Sequence, residues 1–173
     1  KLFSKGDSLF FKLSLAQWSL NKAIFSNKIS PMDFAQKAKE LGFEGLEYVS
    51  QLYKKEIKNS NIDSVVETLN AKSKEYGMKN VLIMVDGEGS LASPDQVERK
   101  KAVENHYKWV DAAYTLGCHA IRVNAHGKGT PEEVAAAAGG VCLVVCAVLL
   151  SEKSQFPSLA TALPALSALA MIA

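Results

Sequence analysis

Three glycines stand at the same point of a repeated phrase. "LGFEGLEYV", "YGMKNVLIMV" and "LGCHAIRVNA" each close a helix-like stretch, place Gly42, Gly77 or Gly117, and run on into an apolar strand. A glycine there supplies the left-handed residue that ends a helix. The intervals of 35 and 40 residues suit a repeated strand–helix unit. The helix starts repeat as well. "SPMD" (Ser30–Asp33), "SPDQ" (Ser93–Gln96) and "TPEE" (Thr130–Glu133) put a hydroxyl at the N-cap, proline at N1 and an acid or amide at N3.

Between these marks the apolar spacing is helical. Phe34, Ala35, Ala38 and Leu41 form one stripe, Val65, Val66 and Leu69 a second, and Val103, Tyr107, Val110 and Tyr114 a third. The predicted strands are Lys12–Gln17, Gly45–Val49, Val81–Asp86 and Ala120–Ala125. The third is apolar on both faces, as a parallel strand covered by helices is. Strand and helix alternating through short loops give an α/β fold with right-handed crossovers. Four such units between Lys12 and Ala138 make about half of the ~250 residues of an eight-fold (β/α) TIM barrel. The alternative is a flavodoxin-like open sheet, whose glycine-rich phosphate loop is missing from "QWSLNK" after the first strand.

In a barrel of this kind, chemistry sits at the C-terminal ends of the strands. The polar residues there are Gln17 and Trp18 after the first strand, Glu47 in the second, and Asp86 and Glu88 after the third. In the fourth, Arg122, Asn124 and His126 alternate with Ile121, Val123 and Ala125. Alternation puts the first three on one face, toward the barrel mouth. Each residue also has a plainer role open to it. Glu47 and Arg122 could pair across strands, Gln17 and Asn124 could be structural hydrogen-bonders, and Asp86 could be a turn residue before Gly87. Trp18 and His126 could be packing and loop residues. Four successive strands ending in polar groups make the convergent reading the stronger one.

Other chemistries lack their residues. "HGKGT" falls short of a phosphate-binding Walker loop, because position 122 is Arg and not Gly. HExxH and GxSxG are absent. His106, His119 and His126 lack ligand spacing, and Cys118, Cys142 and Cys146 form neither a CxxC nor an even set. A net charge of +2 is too weak to argue for nucleic acid or an anionic membrane. Lys1–Phe11 holds no sustained apolar run of the kind a secretory leader needs, which favours the cytoplasm, with export through a leader removed upstream left open.

"LSLAQWSL", "AKELGFEGLEYV", "VLIMVDGEG" and "RKKAVENHYKWVDAAYTLGCHAIRVNAHG" together resemble the sugar phosphate isomerase/epimerase family with a xylose isomerase-like TIM barrel. The resemblance covers about Phe11 to Ala138, the N-terminal half of that fold. It implies a divalent cation (Mn, Mg, Co or Zn) holding two adjacent oxygens of a sugar or sugar phosphate. It also implies carboxylates that move a proton beside a carbonyl. In the family the metal ligands and acids come mainly from strands five to eight, with Glu-Asn-His after the fifth, and no such run follows Ala138. The resemblance thus gives Gln17, Trp18, Glu47, Asp86, Arg122, Asn124 and His126 a substrate-binding role. It leaves this chain without a metal site of its own and without turnover. Related abasic-site endonucleases use a histidine-rich zinc cluster, for which three scattered histidines are too few.

Beyond Ala138 the character changes. Of the 20 basic and 18 acidic residues, only Glu152 and Lys153 lie after Glu133. Val134–Leu150 is uncharged but at the low edge of a membrane span, and Gly139–Gly140 weakens it as a helix. We expect residues 139–173 to be a tail of foreign origin, such as a frame shift, with a membrane anchor as the second explanation. A half-barrel would also leave two open sheet edges, so self-association is the non-enzymatic alternative.

Overall fold

The computed structural model describes residues 12–138; the expectations for the leader region and for the tail fall outside them. Four parallel strands, β1 (Ser14–Ala16), β2 (Gly45–Val49), β3 (Lys79–Met84) and β4 (Ala120–Arg122), pair in chain order. Between them run α1 (Asn21–Phe25), α2 (Phe34–Glu40), α3 (Lys54–Asn59), α4 (Ile62–Glu75) and α5 (Gln96–Leu116), and a further helix begins at residue 131. Sequential order with a helix between each pair is the first half of a (β/α) barrel. A flavodoxin-like sheet would need its order to reverse at a switch point.

The punctuation behaves as its chemistry requires. Gly42, Gly77 and Gly117 all have positive φ, at +89°, +61° and +71°. Ser30 Oγ accepts the Met32 N–H at 3.2 Å. Thr130 and Glu133 form a reciprocal capping box, the Thr130 N–H donating to Glu133 Oε2 at 2.8 Å and the Glu133 N–H to Thr130 Oγ1 at 3.3 Å. At the middle start the cap is displaced. Ser93 Oγ accepts the Asp95 N–H, and Asp95 Oδ1 then accepts the N–H groups of Val97 and Glu98, so α5 begins two residues later than "SPDQ" suggests.

The buried face of α5 also differs from the expected one. Ala102, His106, Trp109, Val110, Ala113 and Leu116 are buried, while Tyr114 is 79% exposed. These buried positions keep the helical period but are rotated from the Val103–Tyr107–Val110–Tyr114 stripe. His106 can occupy that face because its Nδ1–H donates to the Ala102 carbonyl at 2.7 Å, which removes the cost of burying it. Leu41, expected on the buried stripe of α2, is exposed because the helix has already ended.

The helix-facing side of the sheet is closed. Leu15, Leu46, Tyr48, Ile83, Val85 and Ile121 are buried in one core with Phe34, Val66, Leu69, Val110 and Leu116. Cys118 joins this core, and burial pushes its thiol up to about 12, so it stays protonated and unreactive at neutral pH. The opposite side is covered only at its C-terminal end, where Val49 is buried against Ile24 and Leu52; Ala16, Glu47, Leu82 and Met84 are half-buried. Registry from Leu46↔Asn80 to Glu47↔Leu82 leaves Val81 as an extra residue in β3. This bulge is what allows both Asn80 and Ile83, three positions apart, to face the helices.

Candidate functional site

The C-terminal ends of β1–β4 surround a depression of about 520 Å³. Its floor and wall are apolar, from Ala16, Val49 and Met84, and its rim carries Trp18, Ser19, Gln51, Asp86 and Arg122. Trp18 leaves β1 on a 3₁₀ turn (Gln17–Leu20), which lifts its ring to the rim at 43% exposure, edge-to-face with the exposed Phe25 at 6.1 Å.

Across the mouth, three expected site residues meet. Asn124 Nδ2 donates to Asp86 Oδ1 at 2.6 Å, Arg122 Nη1 donates to Asn124 Oδ1 at 2.5 Å, and Arg122 Nη1 lies 3.6 Å from Asp86 Oδ1. Asn124 orients the ion pair with one hydrogen bond to each partner. Asp86 is itself fixed from below. Ser50, buried at the end of β2, accepts the Asp86 N–H through Oγ at 3.0 Å and donates to the Asp86 carbonyl at 3.4 Å. Ser50 carries no sequence signal, because its role is a contact with another strand's backbone.

The other expected residues are placed differently. Gln17 does not face the mouth: it is completely buried and every polar atom is used. Its Nε2 donates to the Tyr53 hydroxyl at 2.7 Å and the Pro31 carbonyl at 3.3 Å, and its Oε1 accepts the Val49 N–H at 3.0 Å. Burial holds the Tyr53 phenol well above its usual range, so that hydroxyl stays a donor, to the Pro31 carbonyl. Gln17 therefore locks the first strand end to the second. Glu47 accepts a hydrogen bond from Ser14 on the inner side of the sheet, below the rim. It does not pair with Arg122, because β3 lies between their strands.

The β4 ladder ends at Arg122, so Asn124 and His126 are loop residues and the alternation expected through Ala125 stops early. His126 Nδ1 lies 3.3 Å from Ser90 Oγ, and its carbonyl accepts the Ala92 N–H. It knits the loops after β3 and β4 together and does not line the depression. A Cβ on Gly127 would lie 1.8 Å from the Ala92 carbonyl oxygen, which shows how closely these loops pack. Glu88 turns away toward α5, accepting from Trp109 Nε1 at 2.8 Å and from Lys108 Nζ at 2.9 Å.

The rim does not fit a divalent cation. Its one carboxylate, Asp86, already accepts from Asn124 and faces the Arg122 guanidinium, which would repel a metal ion. No group of three or more His, Cys, Asp or Glu side chains among the described residues is arranged to hold one. Among the described residues no helix is long and apolar enough to cross a membrane.

The chain matches the family model of the xylose isomerase-like TIM barrel over residues 35–147. A solved structure of the protein SMc04130 from Sinorhizobium meliloti 1021 aligns with a TM-score of 0.56 at 13% identity, over 80% of this chain and 46% of that one. The likeness is one of fold, and this chain spans about half of that protein. No curated protein matches.

Proposed function

The chain belongs to the xylose isomerase-like TIM barrel family, and from that premise we propose that its described residues form the substrate-shaping side of a sugar or sugar phosphate isomerase/epimerase site. One observation carries this reading: Asp86, Asn124 and Arg122 converge opposite Trp18, at the strand ends where a barrel of this type does its chemistry. Arg122 presents N–H donors to a hydroxyl or carbonyl oxygen. Asp86 accepts from a neighbouring hydroxyl, and Trp18 covers the mouth from one side and keeps water from it. Gln17, Ser50 and His126 hold the strand ends and loops that carry these groups. Glu47, tied to Ser14 beneath the rim, is a candidate for contact with the deep end of a bound sugar.

The resemblance implies proton transfer beside a carbonyl with a divalent cation as electrophile. The rim described above offers no place for that cation, so we assign it, and the acid–base carboxylates, to residues other than these. The chain alone then binds sugar without turning it over. The test is a titration of the purified chain. Addition of a ketose shifts the Trp18 indole resonance, Mn²⁺ or Mg²⁺ binds without stoichiometry, and no isomer forms. An unmoved Trp18 signal removes the reading, and tight metal binding or turnover removes its second part.

The partly covered inner face of the sheet favours one other role, a half-barrel that pairs with a second copy of itself. Among the described residues β1 and β4 each have one strand neighbour, so both could accept another. Sedimentation equilibrium decides this: a monomer across the micromolar range excludes it.

A further inference from the structure

We infer that the Asp86–Arg122 rim is built for an uncharged polyol, such as an unphosphorylated sugar, and discriminates against a phosphate ester at this position. The inference rests on the sugar-binding reading above and narrows it. Arg122 is the one cation among the side chains lining the depression, and it is 44% exposed. Its charge is already met by Asp86 at 3.6 Å. A phosphate brought to the guanidinium would also meet the Asp86 carboxylate, so attraction and repulsion largely offset each other. Lys54 Nζ lies beside Gly87, 3.3 Å from where a Cβ would stand, but outside the lining.

A sugar fits where a phosphate does not. Each hydroxyl is at once a donor and an acceptor, whereas Asp86 only accepts and Arg122 only donates. An acceptor and a donor held side by side by Asn124 therefore satisfy two adjacent hydroxyls. Nη1 makes the contacts to Asn124 and Asp86, which leaves the other guanidinium N–H groups without a protein partner among the described residues. The remainder of the depression matches the rest of a sugar ring. The half-buried Met84 meets its C–H surface, and the Trp18 ring, negative on its face, suits the slightly positive C–H edges.

The experiment compares D-fructose with D-fructose 6-phosphate on the ¹⁵N-labelled full chain. Trp18 Nε1–H reports binding, and Trp109, tied to Glu88, provides the internal reference among the two tryptophans. The wild type is expected to bind the neutral sugar at least as well as the ester. Asp86→Asn, which removes the opposing charge, is expected to shift the ratio toward the ester by about tenfold. Arg122→Gln is expected to weaken both ligands alike. Preference of the wild type for the ester, an unchanged ratio in Asp86→Asn, or selective loss of the ester in Arg122→Gln overturns the inference and leaves the sugar reading standing. Binding of neither ligand to the folded wild type overturns the sugar reading itself, and this inference with it.

Discussion

The two faces of the sheet are made from the same strands and have opposite fates. On the helix side Leu46, Tyr48, Ile83 and Ile121 are sealed in the main core. On the inner side their direct neighbours Glu47, Leu82 and Met84 are half-buried, and the polar rim begins where Asp86 and Arg122 leave that face. Stability is thus concentrated in the layer between sheet and helices, while the inner face carries the site. The difference teaches that the four described strands, with their helices on one side, build a closed core on that side alone.

The largest test of that division is Leu46→Ala. Leu46 is completely buried, so its truncation removes transfer energy and opens a cavity, and we expect a loss of about 2–5 kcal/mol in urea unfolding. A loss below about 1 kcal/mol would show that the helix layer collapses easily around the gap and is not the stable half. Next in size is Gly45→Ala. A Cβ there would stand 2.9 Å from both Ser14 Cβ and Val81 Cγ2, so β1, β2 and β3 could not keep their spacing. We expect a loss of about 1–3 kcal/mol, read by the same denaturant series.

How much of this was legible follows from where each signal lives. The glycines and the Ser30 and Thr130 caps act within a few residues of chain, so their spacing exposes the units and the units expose the barrel. The cap at Asp95 was obscured because Ser93 also offers a hydroxyl, and only the Asp95 N–H bonding back to it decides between them. The buried face of α5 differs from its apolar stripe because it includes His106, a polar residue whose burial depends on a carbonyl one turn away. At the site, Asp86, Asn124 and Arg122 were legible one by one as polar strand ends. Their assembly was not, since it needs β3 beside β4 and Ser50 beneath Asp86. Gln17 shows the limit most plainly: the same residue type at a strand end can line a mouth or lock two strands, and only Tyr53, Pro31 and Val49 around it tell which.

A smaller effect separates the faces by pH. Cys118 lies in the helix-side core with its thiol raised from an ordinary 9.0 to about 12 by burial. The unfolded chain therefore releases this proton first, and the stability the protonated thiol contributes is full below pH 9 and lost as pH rises toward 12. The loss amounts to about 1.4 kcal/mol per pH unit for the one group. Tyr48 and Tyr53, also raised by burial, add their own loss above pH 10. Cys118→Ala should flatten the fall most between pH 9 and 10, where the unfolded thiol is mostly ionised and the tyrosines only begin to titrate. An unchanged slope would mean that the thiol reaches water in the native state.

The smallest expected effect bears most directly on the comparison. Leu82 pairs in register with Glu47 on one side and Ala120 on the other, and shares their inner face. If that face is open to water, Leu82→Ser gives up only part of a side chain's burial and should cost less than about 1 kcal/mol, well under the Leu46 value. The measurement is a second denaturant curve, taken at two protein concentrations. A cost matching that of Leu46→Ala would mean that the inner face is covered in solution. Its dependence on concentration then identifies the cover: a cost that falls on dilution belongs to a second copy, and one that does not belongs to the chain itself. Only the uncovered result leaves the mouth open to a sugar along the inner face of the sheet, so this substitution tests the site as well as the fold.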